Sequence, residues 1–229
     1  MDISLRLKTI ASMVSKCDTI ADIGTDHGYI PIYLVKKGIC SKAIASDINK
    51  GPVQKAEFNV AMEGLKDKIQ CKLGPGFSTI KPGKIDVAII AGMGGNLIRD
   101  IILDHEEVFR KLQYAILQPV QNPEVLRKFI YEKGYEICDE ELCIEEGIFY
   151  QILKVKFSDK PKNIDSIYYE VGEKLIEKNH KLLKGFLDNL ILKYERILSF
   201  IDENTDLAVK RKEEVSFKIK ELKKIKSDI

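Results

Sequence analysis

Tryptophan is absent from this 229-residue chain, histidine occurs only three times, and the five cysteines are scattered. The cysteines form no C-x-x-C pair and stand at positions Cys17, Cys40, Cys71, Cys138 and Cys143. This usage argues against a disulfide framework and against a metal site built from cysteine and histidine. We therefore predict a protein without a bound metal, in a reducing compartment such as the cytoplasm.

Long hydrophobic runs and a strong charge of either sign are also missing. No stretch of about 18 uncharged apolar residues occurs, and the N-terminus lacks the apolar core of a signal peptide, so we predict no membrane association. The formal net charge is +2, and residues 161–229 hold 15 basic and 13 acidic side chains. An RNA-binding function would therefore need a local basic face rather than a basic chain.

Short β-type runs alternate with amphipathic helical patterns between about residues 18 and 157. The predicted strands are Thr19–Gly24, Lys42–Asp47, Ile69–Leu73, Ile85–Ala91 and Tyr114–Gln118, and the predicted helices are Tyr29–Lys37, Pro52–Glu63, Asn96–Leu103 and Pro123–Lys133. Two more strand-like runs, Glu136–Ile144 and Ile148–Phe157, flank a turn-prone Glu-Glu-Gly and predict an antiparallel hairpin at a sheet edge. This order predicts an α/β, doubly wound Rossmann-like sheet, mostly parallel, which suits a methyltransferase better than a dinucleotide dehydrogenase.

The composition changes after the polar linker Ser158–Asn163. Leucine, isoleucine, lysine and glutamate dominate there, and apolar residues recur at spacings of three, four and seven from Leu183 to Ile201. After a predicted turn at Asp202–Asp206, strict seven-residue spacing connects Ala208, Val215, Leu222 and Ile229. We predict a first domain over residues 1–160 and, over residues 161–229, a second domain of two antiparallel helices packed as a coiled-coil hairpin.

The first predicted strand ends in Ala21-Asp22-Ile23-Gly24-Thr25-Asp26-His27-Gly28 and leads into a helix that begins at Tyr29. Such a turn places backbone N–H groups beside a ligand at the carboxyl end of a parallel sheet. Its G-x-x-x-G spacing differs from the pyrophosphate-binding G-x-G-x-x-G and suits the amino-acid end of S-adenosylmethionine. A purely structural turn, with a structural His27, is the alternative.

Asp47 ends the second predicted strand, 23 residues after Gly24. An acid at that spacing can accept hydrogen bonds from both ribose hydroxyl groups of an adenosine. The alternative is that Asp47 caps the helix that begins near Gly51-Pro52.

A glycine-rich run, Ala91-Gly92-Met93-Gly94-Gly95, follows the fourth strand and permits close approach of a substrate to the backbone. The Asp/Asn-Pro-Pro-aromatic motif of exocyclic-amine methyltransferases is absent from this position. Gln118 ends the fifth strand, Gln121 and Asn122 follow it, and the amides of these residues can read the edge of a base. Helix entry with Asn122 as N-cap is an equally good interpretation of the last of these.

Together these segments resemble the bacterial tRNA (adenine-22-N1)-methyltransferases, the TrmK family. The resemblance spans nearly the whole chain: Leu5-Arg6-Leu7, then ADIGTDHGYIP, IAGMGG, LQP, LRKFI, EEGIFYQIL and the helical hairpin. It implies methyl transfer from S-adenosylmethionine to N1 of adenine 22 in the D-arm of tRNA. The implied cofactor-binding residues are Arg6, Gly24, Thr25, Asp26, His27, Gly28, Tyr29, Asp47, Ile48, Gly74, Pro75, Gly76, Ala91, Gly92 and Met93, and the implied catalytic residues are Asp26, Met93, Gly94 and Gln118.

Two positions depart from the family pattern. Gly74-Pro75-Gly76 replaces the usual Gly-Asp-Gly after the third strand, so that an acidic contact to the cofactor adenine is lost or replaced by backbone carbonyls. Asp47 stands where some relatives carry Glu.

N1 of adenine is an unprotonated lone pair at neutral pH, so its methylation needs alignment and exclusion of water rather than a strong base. Because N1 lies on the Watson–Crick edge, the nucleotide must be flipped, and Tyr29 and Tyr150 are candidates to stack against it. Two rival functions stay open: an inactive methyltransferase fold that binds RNA, or a methyltransferase acting on another RNA base. An NAD-linked oxidoreductase is disfavoured by the glycine spacing. We expect a monomer, although the helical hairpin would also suit a dimer interface.

Overall fold

The computed structural model describes residues 2–202 and 205–229, which form two compact units, Met1–Asn163 and Ile164–Ile229. The first unit is built on one seven-stranded sheet. Its strands are β1 (Cys17–Ile23), β2 (Cys40–Asp47), β3 (Ile69–Leu73), β4 (Val87–Gly94), β5 (Tyr114–Gln121), β6 (Tyr135–Glu145) and β7 (Ile148–Phe157), and its helices are α1 (Leu5–Ser12), α2 (Tyr29–Lys36), α3 (Lys50–Met62), α4 (Gly95–Asp104), α5 (Glu106–Phe109) and α6 (Pro123–Glu132).

The strand order is β3-β2-β1-β4-β5-β7-β6, with β1 to β5 parallel and β7 antiparallel to both of its neighbours. The predicted doubly wound, mostly parallel sheet with a terminal hairpin is confirmed. Successive strands are added on one side of β1 up to β3 and on its other side from β4, so a crevice forms at the carboxyl ends of β1 and β4, where the strand order reverses.

Apolar side chains on the central strands explain why this sheet forms. Ile20 of β1, Ile89 of β4 and Ile116 of β5 are fully buried and belong to one hydrophobic cluster. Burying a side chain of this size contributes roughly 1.5–3 kcal/mol. Strands covered on both faces need such residues at nearly every position, which is the pattern visible in the sequence.

The hairpin of β6 and β7 depends on a two-residue turn at Glu146 and Gly147, which have φ values of 51° and 77°. Two successive positive φ angles are typical of a type I′ turn, whose twist matches that of the flanking strands. Glu145 pairs with Ile148 immediately beside it. The turn predicted from Glu-Glu-Gly is therefore present, one residue shorter than expected.

Several elements differ from the sequence prediction. β4 and β5 each continue three residues beyond their predicted ends, because main-chain pairing extends to Gly94 and Gln121, where no apolar side chain marks a strand. α1 and α5 were not predicted. α1 is short and begins at the N-cap Ser4, whose hydroxyl accepts from the Leu7 N–H.

The second unit contains α7 (Ser166–Val171), α8 (Glu173–Glu177), α9 (Leu183–Ser199) and α10 (Asp206–Ser227). The last two helices pack antiparallel: Lys223 pairs with Glu195 at 2.7 Å, and Lys226, further along α10, pairs with the earlier Asp188. α7 and α8 were not predicted. Within these helices Val215 and Leu222 are fully buried, as their spacing predicted; the designation as a coiled coil stays a prediction.

Thr205 is the N-cap of α10 and accepts from the Ala208 N–H at 3.2 Å. The turn predicted at Asp202–Asp206 includes residues 203 and 204, which lie outside the described residues. Among the helices of the described ranges, none combines the length and the apolar character needed to cross a membrane.

Candidate active site

Two cavities open at the carboxyl ends of the central strands and adjoin at Gly24. The smaller, about 210 Å³, is lined by Asp47, by the turn after β3 and by α4. The larger, about 480 Å³, is lined by the turn between β1 and α2 and by α1. Gly24 has a φ of 81°, and a Cβ atom there would lie 1.9 Å from Met93 Cε. Glycine adopts this backbone angle without strain, and a larger residue would force the flexible Met93 side chain to move at the junction of the cavities.

The turn from β1 to α2 is fixed by hydrogen bonds within the backbone and one side chain. The N–H groups of Gly24 and Thr25 donate to Ser46 O at 2.8 and 2.9 Å, which ties the turn to β2. Gly28, with φ at 69°, donates its N–H to Thr25 Oγ1 at 3.1 Å and ends the turn as the N-cap of α2. A Cβ atom at Gly28 would lie 3.3 Å from the Ala56 side chain, so this glycine also lets α3 approach.

Asp22 contributes a buried carboxyl group to the wall of the larger cavity. Burial raises the pKa of this carboxyl from its ordinary 3.8 to about 6, a hydrogen bond with Thr25 opposes the rise, and the charge of Asp47 adds to it. An apolar strand end that holds a carboxyl group at this cost is typical of a ligand site.

Asp26, His27 and Tyr29 stand at the mouth of the larger cavity. His27 Nε2 lies 3.2 Å from the Asp26 carboxylate, and the His27 and Tyr29 rings are stacked with their centroids 4.9 Å apart and an interplanar angle of 6°. Tyr29 is 37% exposed. Asn59 Nδ2 donates to His27 O at 2.9 Å and steadies this part of the turn. The stacked pair therefore presents a flat aromatic surface beside the cleft.

In the smaller cavity the Asp47 carboxylate accepts from the Asn49 N–H at 2.7 Å through Oδ1. Its own carbonyl accepts from the Gly74 N–H at 2.9 Å, which brings Gly74-Pro75-Gly76 against the end of β2. Ile48 is exposed beside it. The predicted ribose-binding acid and the predicted adenine-binding turn thus share one cavity wall.

The glycine run at the end of β4 forms a bulge. The pairing of β4 with β5 shifts register on both sides of Met93, and Gly92 has a φ of 78°. A Cβ atom at Gly95 would lie 2.3 Å from Asn122 O, so this position lets the start of α4 pack on the loop after β5. Gly95 therefore brings the start of α4 against the backbone that follows β5.

Gln118 and Asn122 differ in a way the sequence does not show. Gln118 is fully buried: its Oε1 accepts from Arg6 Nη1 at 2.7 Å and from the Gly92 N–H at 3.2 Å, and its Nε2 donates to Pro119 O at 2.9 Å. Asn122 is exposed, has a φ of 51°, and occupies the N-cap of α6 without a capping hydrogen bond from its side chain. Its side chain, like that of exposed Gln121, faces away from the core.

Within the described residues, no group of three or more His, Cys, Asp and Glu side chains has the geometry to hold a metal ion. Burial also raises the pKa of Cys17 and Cys71 to about 11 and of Cys40 to about 12, so these thiols are protonated at neutral pH.

Comparison with known proteins identifies the family. Residues 3–153 match the family model described as "Methyltransferase domain". The chain is 33% identical over 195 residues to the tRNA (adenine(22)-N(1))-methyltransferase of Bacillus subtilis, covering 83% of this chain and 82% of that protein. The chain belongs to the tRNA (adenine(22)-N(1))-methyltransferase family.

Solved structures of the tRNA (adenine(22)-N(1))-methyltransferase family have the same fold. The crystal structure of the Bacillus subtilis m1A22 tRNA methyltransferase TrmK superposes with a TM-score of 0.88 at 29% identity, covering 98% of this chain and 99% of that chain. TrmK of M. capricolum, in complex with S-adenosylhomocysteine, has a TM-score of 0.84 at 28% identity and covers 98% of each chain. The resemblance stated from the sequence motifs is confirmed, and so is the enzyme class.

The individual roles predicted in this methyltransferase site stay predictions, but the structure brings most of the predicted residues together around the two cavities. It also adds wall residues that the sequence analysis did not name as site residues. These are Ser4, Leu7, Asp22, Ile30 and Glu145 in the larger cavity and Ile23, Leu97, Asp100, Ile101, Asp104 and His105 in the smaller one. Asp22 had a visible signal, a carboxyl group inside an apolar strand; the α4 residues had none.

Proposed function

We propose that this methyltransferase binds S-adenosylmethionine across the two cavities and transfers its methyl group to N1 of adenine 22 in the D-arm of tRNA. The observation that carries the proposal is the pair of cavities that adjoin at Gly24, one beside Asp47 and the other beside Asp22 and Arg6. A cofactor with an adenosine half and an amino-acid half fits such a divided cleft. The M. capricolum relative, bound to S-adenosylhomocysteine, supports the same cofactor.

The smaller cavity suits the adenosine half. Asp47 keeps its Oδ1 on the Asn49 N–H, so its second oxygen is available to a ribose hydroxyl group. The exposed Ile48 side chain and the Leu97 and Ile101 side chains supply apolar surface for a purine ring. The backbone of Gly74-Pro75-Gly76 supplies carbonyl acceptors but no carboxylate to the same ring.

The larger cavity suits the amino-acid half. Asp22 provides a carboxylate for an ammonium group, and Arg6 provides a guanidinium for a carboxylate. An ammonium ion beside Asp22 would compensate the cost of burying its charge, because an opposite charge favours the ionised form. The residues present therefore fit both ends of the cofactor.

When bound, S-adenosylmethionine would supply a methyl group on a positively charged sulfur, for transfer to the N1 lone pair of adenine, and the sulfur would keep the electron pair of the broken bond. The protein aligns N1 with the methyl group and stabilises the positive charge that develops on the base. Asp26 and the carbonyl groups of Met93 and Gly94 are the acceptors that we propose to stabilise the positive charge on the methylated base. No residue is required as a strong base, since N1 carries no proton at neutral pH.

The flipped adenine needs a surface to stack on and a partner for its edge. The stacked His27 and Tyr29 rings offer the surface at the cavity mouth. Asn122 offers an exposed side-chain amide, its backbone carbonyl lies against Gly95, and its left-handed backbone conformation is one that asparagine adopts more readily than most residues. Tyr150 is less suited to stacking, because the Arg6 guanidinium already lies over its ring at 5.4 Å.

The second unit is proposed to hold the tRNA. Four basic side chains of α10 are already paired with acids of the same unit: Arg211, Lys218, Lys223 and Lys226. Within the described ranges, Lys210, Lys220 and Lys224 of this helix have no acidic partner. Together with the half-exposed Phe217 they follow one another at spacings of seven, three and four, which places them on one face.

That face lies opposite the buried residues Val215, Ile219 and Leu222. Lysines that surround an exposed aromatic ring suit a phosphate backbone with a nucleobase or sugar packed on the ring.

We further propose that the enzyme acts as a monomer in the cytoplasm, where tRNA is modified.

Calorimetric titration of the full chain with S-adenosylhomocysteine, NAD and unmodified tRNA separates the proposal from its rivals. We expect binding of S-adenosylhomocysteine and tRNA but not of NAD. Binding of tRNA without S-adenosylhomocysteine would contradict the proposal in favour of an inactive RNA-binding protein, and binding of NAD would contradict it in favour of an oxidoreductase.

A further inference from the structure

Gln118 connects three segments that are distant in sequence. Its side chain, at the carboxyl end of β5, is fully buried and accepts from Arg6 Nη1 at 2.7 Å and from the Gly92 N–H at 3.2 Å. The amide nitrogen donates to Pro119 O at 2.9 Å, which fixes the orientation of the amide. The carbonyl oxygen and the NH₂ group of the Gln118 amide are therefore both hydrogen-bonded inside the protein, and the side chain has no edge left to present to a base.

The contact with Gly92 supports the bulge in β4. Ala91 pairs with Gln118 across the sheet, and the register shifts before Met93, so the Gly92 N–H leaves the regular strand ladder. Gly92 itself is exposed, and Gln118 Oε1 supplies the acceptor that the Gly92 N–H no longer finds in the strand ladder. The conformation of the bulged end of β4, the loop that carries Met93 and Gly94, thus depends on the Gln118 amide.

The contact with Arg6 aims a cation into the larger cavity. The backbone N–H of Arg6 donates to Glu145 Oε1 at 3.1 Å, a contact that lowers the pKa of Glu145, and the Arg6 guanidinium packs over the Tyr150 ring. Gln118 Oε1 accepts from Arg6 Nη1 and so adds a third contact that holds the Arg6 residue in place. Since a guanidinium has five N–H donors, others remain for an anionic ligand.

We propose that Gln118 is a positioning residue that couples the two halves of the site. Through Arg6 it orients the group that binds the cofactor carboxylate, and through Gly92 it sets the loop that faces the reacting methyl group. It does not read the base. The inference rests on the proposed function, because it assigns Arg6 and the loop their roles in methyl transfer.

Gln118→Met tests this, since methionine has a similar length and volume but makes neither hydrogen bond. Displacing aligned groups by about 1 Å can reduce turnover about 10²-fold, so we expect a fall in kcat of that order together with weaker binding of S-adenosylmethionine. The KM for tRNA should not rise. Gln113→Met is the matched control: Gln113 lies at the other end of β5, is exposed, and makes one hydrogen bond to Asp86 at 3.2 Å.

A double-mutant cycle with Arg6→Ala separates the two routes. In the Arg6→Ala background, Gln118→Met should weaken S-adenosylmethionine binding no further, because that effect passes through Arg6, whereas the fall in kcat should persist, because it passes through Gly92. Gln118→Glu keeps an acceptor for Arg6 and Gly92 but loses the donor to Pro119 O and gives Arg6 a charged partner, so we expect weaker cofactor binding and a smaller fall in kcat than in Gln118→Met. This variant carries the test if Gln118→Met does not fold.

An unaltered enzyme that transfers no methyl group would overturn the proposed function, and this inference with it. If the unaltered enzyme is active, the inference alone is overturned by a Gln118→Met variant with normal kcat and cofactor affinity. It is also overturned if the substitution raises only the KM for tRNA, as a base-reading residue requires, or if Gln118→Glu loses as much kcat as Gln118→Met.

Discussion

Substitution of Asp47 is the sharpest perturbation of the proposed cofactor site. The carboxylate makes one hydrogen bond within the described structure, from the Asn49 N–H to Oδ1 at 2.7 Å. The second oxygen is the proposed acceptor for a ribose hydroxyl group. A hydrogen bond to a charged acceptor contributes about 1.5–3 kcal/mol, and each 1.4 kcal/mol is tenfold in affinity. Asp47→Asn should therefore weaken binding about 10- to 150-fold.

The asparagine variant separates binding from folding. Its side-chain carbonyl can still accept from the Asn49 N–H, so the loop after β2 is retained, but its NH₂ group cannot accept from the ribose. Asp47→Ala loses both contacts and should bind the cofactor at least as weakly. Because the Asn49 N–H is exposed to solvent, the extra cost in free energy of unfolding is about 1 kcal/mol or less.

The assay is calorimetric titration with S-adenosylhomocysteine, with thermal denaturation of each variant measured in parallel. Asp67→Ala, an exposed acid in the turn before β3, is the control and should bind normally. If Asp47→Asn binds S-adenosylhomocysteine with an affinity within threefold of the unaltered protein, Asp47 does not contact the ribose and the assignment of the smaller cavity is wrong.

Three further predictions follow from the same structure. Gly24→Ala and Gly38→Ala both place a side chain at a positive φ, at a cost of about 1–2 kcal/mol each in thermal or chemical denaturation. Only Gly24→Ala should also weaken cofactor binding, because its Cβ would lie 1.9 Å from Met93 Cε and displace that side chain at the junction of the cavities, whereas a Cβ at Gly38 meets no atom within 4 Å. Because folding raises the pKa of Asp22 from 3.8 to about 6, the folded state holds that proton more tightly than the unfolded state. The free energy of unfolding without ligand should therefore fall by about 2 kcal/mol as pH rises from 4 to 6, and Asp22→Asn should remove this pH dependence. Cofactor affinity should rise over the same interval, and a flat titration would exclude Asp22 as the ammonium partner. Alanine substitution of Lys210, Lys220 and Lys224 should leave cofactor binding unchanged and make the slope of log tRNA affinity against log salt concentration shallower by about two to three. An unchanged slope would show that this face of α10 does not contact tRNA.

The sheet was predictable because its signal is local. Ile85–Ala91 and Tyr114–Gln118 read as buried strands since each residue in them must meet the core, and the hairpin turn was visible in Glu146-Gly147. The extensions to Gly94 and Gln121 were not predictable, because main-chain pairing there needs no apolar side chain.

The site was predictable only where its residues follow a strand end. Gly24 and Asp47 have that position, and their motif could be recognised. The neighbours of Gln118 could not be, since Arg6 lies 112 residues away and the pairing of Ala91 with Gln118 decides that this amide points inward. Gln118 and Asn122 are both amides near one strand end, and tertiary register alone separates a buried positioning residue from an exposed one.

Mapping of the methylated nucleoside tests the central claim most directly. The full chain would be incubated with S-adenosylmethionine and two tRNA transcripts, one with adenine and one with guanine at position 22, and the products digested and analysed by mass spectrometry. We predict 1-methyladenosine at position 22 of the first transcript and no methylation of the second. Equal methylation of both transcripts, or a methyl group at another nucleotide or on another atom of adenine 22, would contradict the proposed function.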